Sequence, residues 1–135
     1  MSHTEIPDLS GKKILIVDDD PEVTQALDTA LKLTKAAVRT VADGNAAVEA
    51  CTADQPDLLI LDMMLPKRSG FLVMEKIKHL QAQNGMKVVM ITGNQGTRHK
   101  TYAETLGVDD YINKPFTIDR LMRSLCRLYA IDTQS

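Results

Sequence analysis

The hydrophobic residues of this chain fall into short unbroken runs separated by longer segments of mixed polarity. Three of these runs, at positions 14–17, 58–61 and 88–91, are apolar at consecutive positions. Strands with this pattern are covered on both faces, as in parallel sheets flanked by helices. A weaker strand is predicted over residues 37–41 and a short fifth one over residues 111–113.

The segments between these strands have helical spacing and recognisable helix boundaries. Asp20, followed by proline, predicts the N-cap of the first helix, and Thr117 predicts the N-cap of the last one. Gly107 predicts the end of the fourth helix. Five strands alternating with five helices indicate an α/β fold, a doubly wound, five-stranded parallel sheet with right-handed crossovers.

Four of the predicted strands run into residues that carry chemistry. These residues are Asp18, Asp19 and Asp20 after the first strand, Asp62 after the third, Thr92 at the end of the fourth and Lys114 after the fifth. The carboxyl ends of parallel strands meet at one edge of the sheet, where ligands bind in such folds. We therefore expect these side chains to lie close together.

Carboxylates gathered at one edge repel one another, by about 1–4 kcal/mol per pair at ~4 Å. A hard divalent cation relieves this repulsion, and Mg2+ suits ligand sets made of oxygen atoms. Asp18, Asp19 and Asp62 are therefore candidate metal ligands. Asp20 is better interpreted as a helix cap, because Pro21 and Glu22 follow it.

Asp62 is the natural nucleophile of this set, because a carboxylate can attack phosphorus and form an acyl phosphate. Phosphoryl transfer requires mainly positioning and charge neutralisation. Lys114 offers a compact positive charge and Thr92 a hydroxyl donor. Each alone is typical of an ordinary surface lysine or strand-end hydroxyl, and their joint placement at strand ends favours the functional interpretation.

The composition narrows the class of protein further. The chain has 135 residues, which fits one domain, and a formal net charge of -2, which gives no indication of direct nucleic-acid binding. No apolar stretch approaches the roughly 20 residues that cross a membrane, and the N-terminus has no secretory-signal pattern, so a cytoplasmic protein is expected. Cys51 and Cys126 form no paired motif, and the histidines have no zinc-ligand spacing.

The chain resembles the receiver domain of bacterial two-component response regulators (CheY-like, with a flavodoxin-like fold). The resemblance rests on the motifs Ile-Val-Asp-Asp (16–19), Leu-Asp-Met-Met-Leu-Pro (61–66) with Gly70, Thr92-Gly93, and Asp-Tyr-Ile-Asn-Lys-Pro-Phe (110–116). It implies the strand order 2-1-3-4-5. It also implies a phosphoacceptor signalling switch, in which a histidine kinase or phosphotransfer protein donates a phosphoryl group to Asp62.

The same resemblance implies the details of the site. Asp19 would bind Mg2+ directly and Asp18 directly or through water, with Asp62 and the backbone carbonyl of Met64 completing the protein ligands. The Lys114-Pro115 peptide bond is expected to be cis, with Pro115 as the cis-proline.

Phosphorylation would act as a switch, according to the same resemblance. Thr92 would move inward to the phosphoryl group, and Tyr111 would rotate from an outward to an inward position. The face formed by helix 4, strand 5 and helix 5 would then control an unknown downstream partner. The protein would catalyse its own phosphorylation and dephosphorylation and would not be an enzyme with external turnover.

Three positions near the site are expected to tune the lifetime of the phosphoryl group: Met64, Gly93 and Asn94. Met64 cannot hydrogen-bond an attacking water, whereas Asn94 could orient one modestly. Gly93 leaves access open for a bulky donor histidine. We therefore expect an aspartyl phosphate that lasts minutes.

The chain departs from the family pattern on the fifth helix. Related transcription factors often dimerise through salt bridges across the helix 4–strand 5–helix 5 face, and Asp109 and Asp110 are consistent with that mode. Arg120 stands where an acid is expected and Ser124 where a base is expected. We therefore expect a monomer or weak dimer. Arg120, Arg123 and Arg127 form either a solvated basic stripe or a docking face for an acidic partner.

The resemblance covers most of the chain. We predict a receiver domain over residues 12–130, polar tails over residues 1–11 and 131–135, and no output domain. The starting methionine and polar ending favour a stand-alone receiver over one excised from a larger regulator or hybrid kinase.

Two other functions are compatible with parts of the sequence. Asp18-x-Asp20 is similar to the acid pair of haloacid-dehalogenase-type phosphatases, but those need a cap and a longer chain. A receiver fold used only as a binding scaffold would not need the complete acidic, threonine and lysine set. No strand precedes a glycine-rich nucleotide-binding motif.

Overall fold

Five parallel strands and five helices make up the computed structural model, which describes residues 5–93 and 97–129. The strands are β1 Lys13–Val17, β2 Ala37–Val41, β3 Leu58–Leu61, β4 Lys87–Thr92 and β5 Asp110–Asn113. The helices are α1 Pro21–Lys32, α2 Gly44–Asp54, α3 Gly70–Asn84, α4 Thr97–Thr105 and α5 Ile118–Leu128. The strand order is β2-β1-β3-β4-β5, which confirms the predicted fold.

The consecutive apolar runs are explained by cores on both faces of the sheet. In β3, Leu59 and Leu61 belong to a cluster with side chains of α2 and α3, whereas Leu58 and Ile60 belong to a second cluster with side chains of α1 and α5. All four side chains are buried. A strand that contributes to two cores leaves no alternate position for polar residues, and this puts β3 at the centre of the sheet.

The predicted helix starts are confirmed by their capping geometry. The Asp20 carboxylate accepts a 2.9 Å hydrogen bond from the backbone N–H of Glu22, and the Thr117 hydroxyl accepts one from the N–H of Arg120 at 3.0 Å. Both side chains satisfy a backbone donor that the first turn of a helix leaves without an intrahelical partner. Asp20 is therefore committed to starting α1.

Part of the predicted N-terminal tail packs against the domain, and this corrects the expectation of a polar segment over residues 1–11. Leu9 is only 1% exposed and lies in the core on the α1 and α5 side. Its backbone N–H donates a 2.7 Å hydrogen bond to the carbonyl of Thr34. Residues 1–4 and the predicted tail 131–135 lie outside the described residues, and the domain limits stay a prediction.

Asp110, the first residue of β5, connects this strand to α5. Its carboxylate accepts two hydrogen bonds from the Arg120 guanidinium, at 3.1 and 3.3 Å, and another from the Ser124 hydroxyl. Arg127 contacts the same carboxylate at 3.1 Å. Two members of the predicted basic stripe are therefore bound to one acid of the same chain. The third, Arg123, pairs with Asp119 at 3.2 Å.

The network around Asp110 also changes the acidity of this carboxyl. Burial raises its pKa, but the hydrogen bonds from Arg120 and Ser124 outweigh burial and hold the pKa below its usual value. The ionised form of Asp110 is therefore the one that stabilises the folded state.

Among the described residues, no helix is long and apolar enough to span a bilayer.

We predict that Leu9→Ala destabilises the domain by about 2–5 kcal/mol, because it removes a fully buried side chain and leaves a cavity. Ile6→Ala is the matched control, since Ile6 lies in the same segment and is 43% exposed. Urea unfolding followed by circular dichroism measures both. Equal, small effects of the two substitutions would show that the segment before β1 contributes nothing to the core.

We predict that the stability difference between the wild type and Asp110→Asn depends on pH. The folded pKa of Asp110 is lowered, so its contribution is complete above the unfolded pKa of about 3.9 and is lost as the pH falls through the folded value. Because the arginines are partly exposed, we expect about 1–2 kcal/mol at pH 7. Unfolding curves recorded between about pH 2 and 7 measure this difference in stability, and a difference that stays constant over this range would contradict the assignment.

Candidate functional site

The chemistry-bearing residues predicted at the strand ends converge on one edge of the sheet. Asp18 follows β1, Asp62 follows β3, Thr92 ends β4 and Lys114 follows the end of β5. Hydrogen bonds between the strands continue to this edge: the N–H of Asp62 donates to Val17 O at 3.0 Å, and the N–H of Lys114 donates to Thr92 O at 2.8 Å. The backbone of both residues is thus fixed by the sheet.

Three carboxylates form the predicted acidic cluster. Asp18, Asp19 and Asp62 each offer one oxygen, and these oxygens lie within 4.8 Å of one another. Asp18 and Asp62 are 3% and 5% exposed, whereas Asp19 is exposed to solvent. The cluster therefore opens toward water on one side and is walled by the sheet on the other.

The geometry of this cluster fits a small divalent cation. Ligand oxygens in an octahedral Mg2+ site with bonds of about 2.0–2.1 Å lie up to roughly 4.2 Å apart. The upper limit of 4.8 Å between the three carboxylate oxygens lies close to that range. The donor set consists of carboxylate oxygens, which suit hard cations, and the exposed side leaves room for water ligands.

Lys114 bridges two of the three acids. Its ammonium lies 2.8 Å from Asp18 Oδ2 and 3.3 Å from Asp62 Oδ2. Burial lowers the pKa of this lysine, but the hydrogen bond to Asp18 and the negative charges of Asp62 and Asp18 outweigh burial and raise the pKa. Lys114 is therefore a fixed positive charge inside the acidic cluster.

The effects on the pKa of Asp62 add up differently from those on Lys114. Burial raises its pKa and the nearby Asp18 adds to this, whereas a hydrogen bond from the N–H of Met64 and the charge of Lys114 oppose it. The N–H of Met64 lies 3.1 Å from Asp62 Oδ1, and Lys114 contacts Oδ2. The net effect is a raised pKa. Asp62 is thus a buried and comparatively basic carboxylate held at both oxygens.

The two predicted switch residues are both buried. Thr92 is fully buried at the end of β4, and Tyr111 is 7% exposed in β5. Tyr111 belongs to the core cluster that includes Ala103 and Leu106, and its burial raises its pKa. The ring is therefore largely shielded from solvent, and its rotation on phosphorylation stays a prediction.

The predicted tuning positions differ in what the structure says of them. The Met64 side chain is 64% exposed. Among the described atoms, none lies within 4 Å of a Cβ added at Gly93. Asn94 lies outside the described residues. The Lys114-Pro115 peptide bond is cis.

Sequence reasoning missed a contact between α3 and α4. Phe71 packs edge-on against Tyr102, with ring centroids 4.9 Å apart, and the Tyr102 hydroxyl donates a 3.1 Å hydrogen bond to Glu75. No local pattern relates these residues, because about one strand and one loop separate them in the sequence.

Comparison with known proteins agrees with this geometry. The sequence model of the response regulator receiver domain family matches residues 14–125 of this chain. The Probable transcriptional regulatory protein TcrX of Mycobacterium tuberculosis is 33% identical over 124 residues, which cover 89% of this chain and 52% of that protein. The chain thus spans about half the length of this relative.

Solved structures show the same fold. The receiver domain of the Francisella response regulator 1452 is 28% identical, with a TM-score of 0.77, over 90% of this chain and 98% of that one. The receiver domain of the sensor histidine kinase PA1611 from Pseudomonas aeruginosa, with magnesium coordinated in its active-site cleft, is 26% identical, with a TM-score of 0.79, over 90% and 99%. The chemotaxis response regulator CheY4 of Vibrio cholerae is 25% identical, with a TM-score of 0.79, over 87% and 98%.

The family match covers most of the chain, and the acidic edge lies where the parallel sheet places it. The chain therefore belongs to the response regulator receiver domain family of two-component signalling systems.

Proposed function

We propose that Asp62 accepts a phosphoryl group from a histidine kinase or a histidine phosphotransfer protein. The observation that carries this proposal is the position of Asp62: a buried carboxylate with Lys114 at 3.3 Å and two further acids within metal-binding reach. Mg2+ would be held by Asp18, Asp19 and Asp62 and by the backbone carbonyl of Met64. The magnesium in the cleft of the Pseudomonas receiver domain supports this choice of metal.

The transfer is a substitution at phosphorus. A carboxylate oxygen of Asp62 forms a bond to phosphorus while the bond between phosphorus and the donor imidazole nitrogen breaks, and the electron pair returns to the imidazole, which takes up a proton from water. The product is an acyl phosphate on Asp62. Burial raises the pKa of Asp62, whereas the charge of Lys114 opposes this shift and favours the ionised form that attacks phosphorus.

Charge neutralisation is the main contribution of the surrounding residues. Mg2+ held by these carboxylates would supply positive charge to the transferring phosphoryl oxygens. Lys114 already lies between Asp18 and Asp62, so a short movement takes its ammonium from Asp62 Oδ2 to a phosphoryl oxygen. Thr92, at the end of the neighbouring strand β4, offers its hydroxyl to a further oxygen. All of these interactions are stronger in a site shielded from water.

The phosphoryl group is then the signal. The acyl phosphate carries roughly -1.5 to -2 units of charge in place of the single charge of the Asp62 carboxylate, so it increases the negative charge by about half a unit to one unit and brings new hydrogen-bond acceptors to the end of β3. We propose that Thr92 and Lys114 respond first and that the change reaches Tyr111 in β5 and the α4–β5–α5 face. This face would bind a downstream partner. Because the product remains attached, the domain catalyses only its own phosphorylation and dephosphorylation.

The same face argues for a monomer or weak dimer. Asp110, which resembles an acid used between subunits in related transcription factors, is bound by Arg120, Ser124 and Arg127 of its own chain. A second copy would have to break these contacts to use the carboxylate. An acidic partner on α5 would likewise compete with Asp110 and Asp119 for the arginines.

We predict that acetyl phosphate with Mg2+ adds one phosphate to the wild type and none to Asp62→Ala, as measured by intact mass. Asp20→Asn is the matched control, because asparagine caps a helix as well as aspartate does and Asp20 has no role in the transfer. Chelation of the metal should abolish the adduct. An adduct retained in Asp62→Ala, or lost in Asp20→Asn with the fold intact, would contradict the assignment.

We predict an aspartyl phosphate that lasts minutes, because Met64 offers no hydrogen bond to an attacking water. Met64→Asn should shorten this lifetime severalfold, whereas Leu72→Asn, at another exposed apolar position, should leave it unchanged. A time course of phosphate release measures all three proteins. A wild-type half-life of a few seconds would refute the prediction.

A further inference from the structure

The loop that carries Asp62 is built onto the first turn of α2. This phosphoacceptor loop, residues 62–69, connects β3 to α3. The backbone N–H of Gly44, the first residue of α2, donates a 3.3 Å hydrogen bond to the carbonyl of Pro66. A donor of the first helical turn, which has no partner within its own helix, is therefore satisfied by the loop.

Gly44 allows this contact because it has no side chain. A Cβ at this position would lie 1.9 Å from the carbonyl oxygen of Arg68 and 2.7 Å from its carbonyl carbon. Such distances are far below van der Waals contact, and the atoms concerned belong to the backbone and cannot rotate away. Any larger residue at position 44 would therefore displace the phosphoacceptor loop, the helix or both.

Two side-chain contacts reinforce the attachment. Arg68 Nε donates a 3.0 Å hydrogen bond to Asn45 Oδ1, and the Lys67 ammonium lies 3.6 Å from Asp43 Oδ2. Lys67 and Arg68 belong to the loop, whereas Asp43 and Asn45 belong to the start of α2. The lysine is largely exposed, so its ion pair contributes little. The contact at Gly44 carries most of the constraint.

The opposite end of the loop is equally close-packed. The N–H of Gly70 donates a 2.9 Å hydrogen bond to Met63 O, and a Cβ at Gly70 would lie 2.5 Å from Asp62 O. Within the loop, between its contacts with Gly44 and Gly70, Lys67 adopts a left-handed backbone conformation, with φ 67°. A non-glycine residue is held in this conformation only where the surroundings determine the path of the chain.

We propose that Gly44 is a positioning residue for the phosphoacceptor site, and that the first turn of α2 acts as the template that sets the loop from Asp62 to Ser69. The proposal rests on the function proposed above, because the same loop carries Asp62 and the backbone of Met64. Mg2+ requires near-ideal octahedral geometry, so a displaced loop is expected to weaken metal binding before it unfolds the domain.

The test compares Gly44→Ala with the wild type in three measurements: Mg2+ affinity by isothermal titration calorimetry, amide hydrogen exchange of residues 62–69 without metal, and phosphorylation by acetyl phosphate. We expect the Mg2+ affinity to fall about tenfold or more, the range typical when groups that support metal ligands are altered. Exchange in the loop should accelerate, and phosphorylation should slow by a similar factor.

Ala53→Gly is the control for stability. It lies in the same helix, at an exposed position far along α2 from the loop, and glycine lowers helix stability there. This variant should be less stable but should bind Mg2+ and become phosphorylated like the wild type. A purely structural role of Gly44 would give both variants the same behaviour, and that result would overturn the proposal.

If Gly44→Ala fails to fold, hydrogen exchange of the wild-type protein decides. The Gly44 amide donates to the carbonyl of Pro66, so this amide and the amides of residues 62–69 should be protected to a similar degree and should slow together when Mg2+ binds; a Gly44 amide that exchanges independently of the loop would overturn the proposal. Failure of the wild type to be phosphorylated on Asp62 would instead refute the proposed function, and loop exchange in the metal-free variants would still test the template.

Discussion

The structure depends on how three carboxylates are held at one edge of a parallel sheet. Asp18 and Asp62 are almost completely buried, and burial of like charges is costly unless they are neutralised. Lys114 is the cation that contacts both of them. When all four groups are ionised, three carboxylates and one ammonium leave two negative charges. A divalent cation would neutralise this remainder, and the proposed phosphoryl group on Asp62 would add further negative charge, so both cations would still be needed.

The charges of the carboxylates and Lys114 neutralise one another only if these groups stay close together. The backbone holds them together in two ways. Hydrogen bonds between strands continue to Asp62 and Lys114, so the sheet fixes where these residues begin. Beyond the sheet, the loop after Asp62 lies between Gly44 and Gly70, where no Cβ fits. The sheet and the close-packed loop therefore hold the charged groups of the site in fixed positions. No reorganisation of surrounding water is then needed when the charges change.

The sequence predicts the parts of this arrangement that have a local cause. The runs at β1, β3 and β4 are apolar at every position because both faces are covered, and Asp20 and Thr117 precede helices as caps do. The strand order came from the family resemblance, because crossover packing has no local signature. Leu9 was missed because one apolar residue in a polar segment has no period. The charges of Asp110 and Arg120 did not reveal whether they would meet within one chain or between two.

The two acidic sites of the domain are neutralised in different ways, and β5 connects them. Asp110 has two guanidinium groups and a hydroxyl for one carboxylate, so its network is complete within the chain. The cluster around Asp62 has one ammonium for three carboxylates and needs an external cation. Lys114 follows the end of β5 and Asp110 begins it. The proposed phosphorylation of Asp62 would therefore change the electrostatics at one end of this strand and leave the other end bound to α5. We expect the structural response to be largest between these two ends, around Tyr111, whose ring belongs to the core cluster that also contains Ala103 and Leu106.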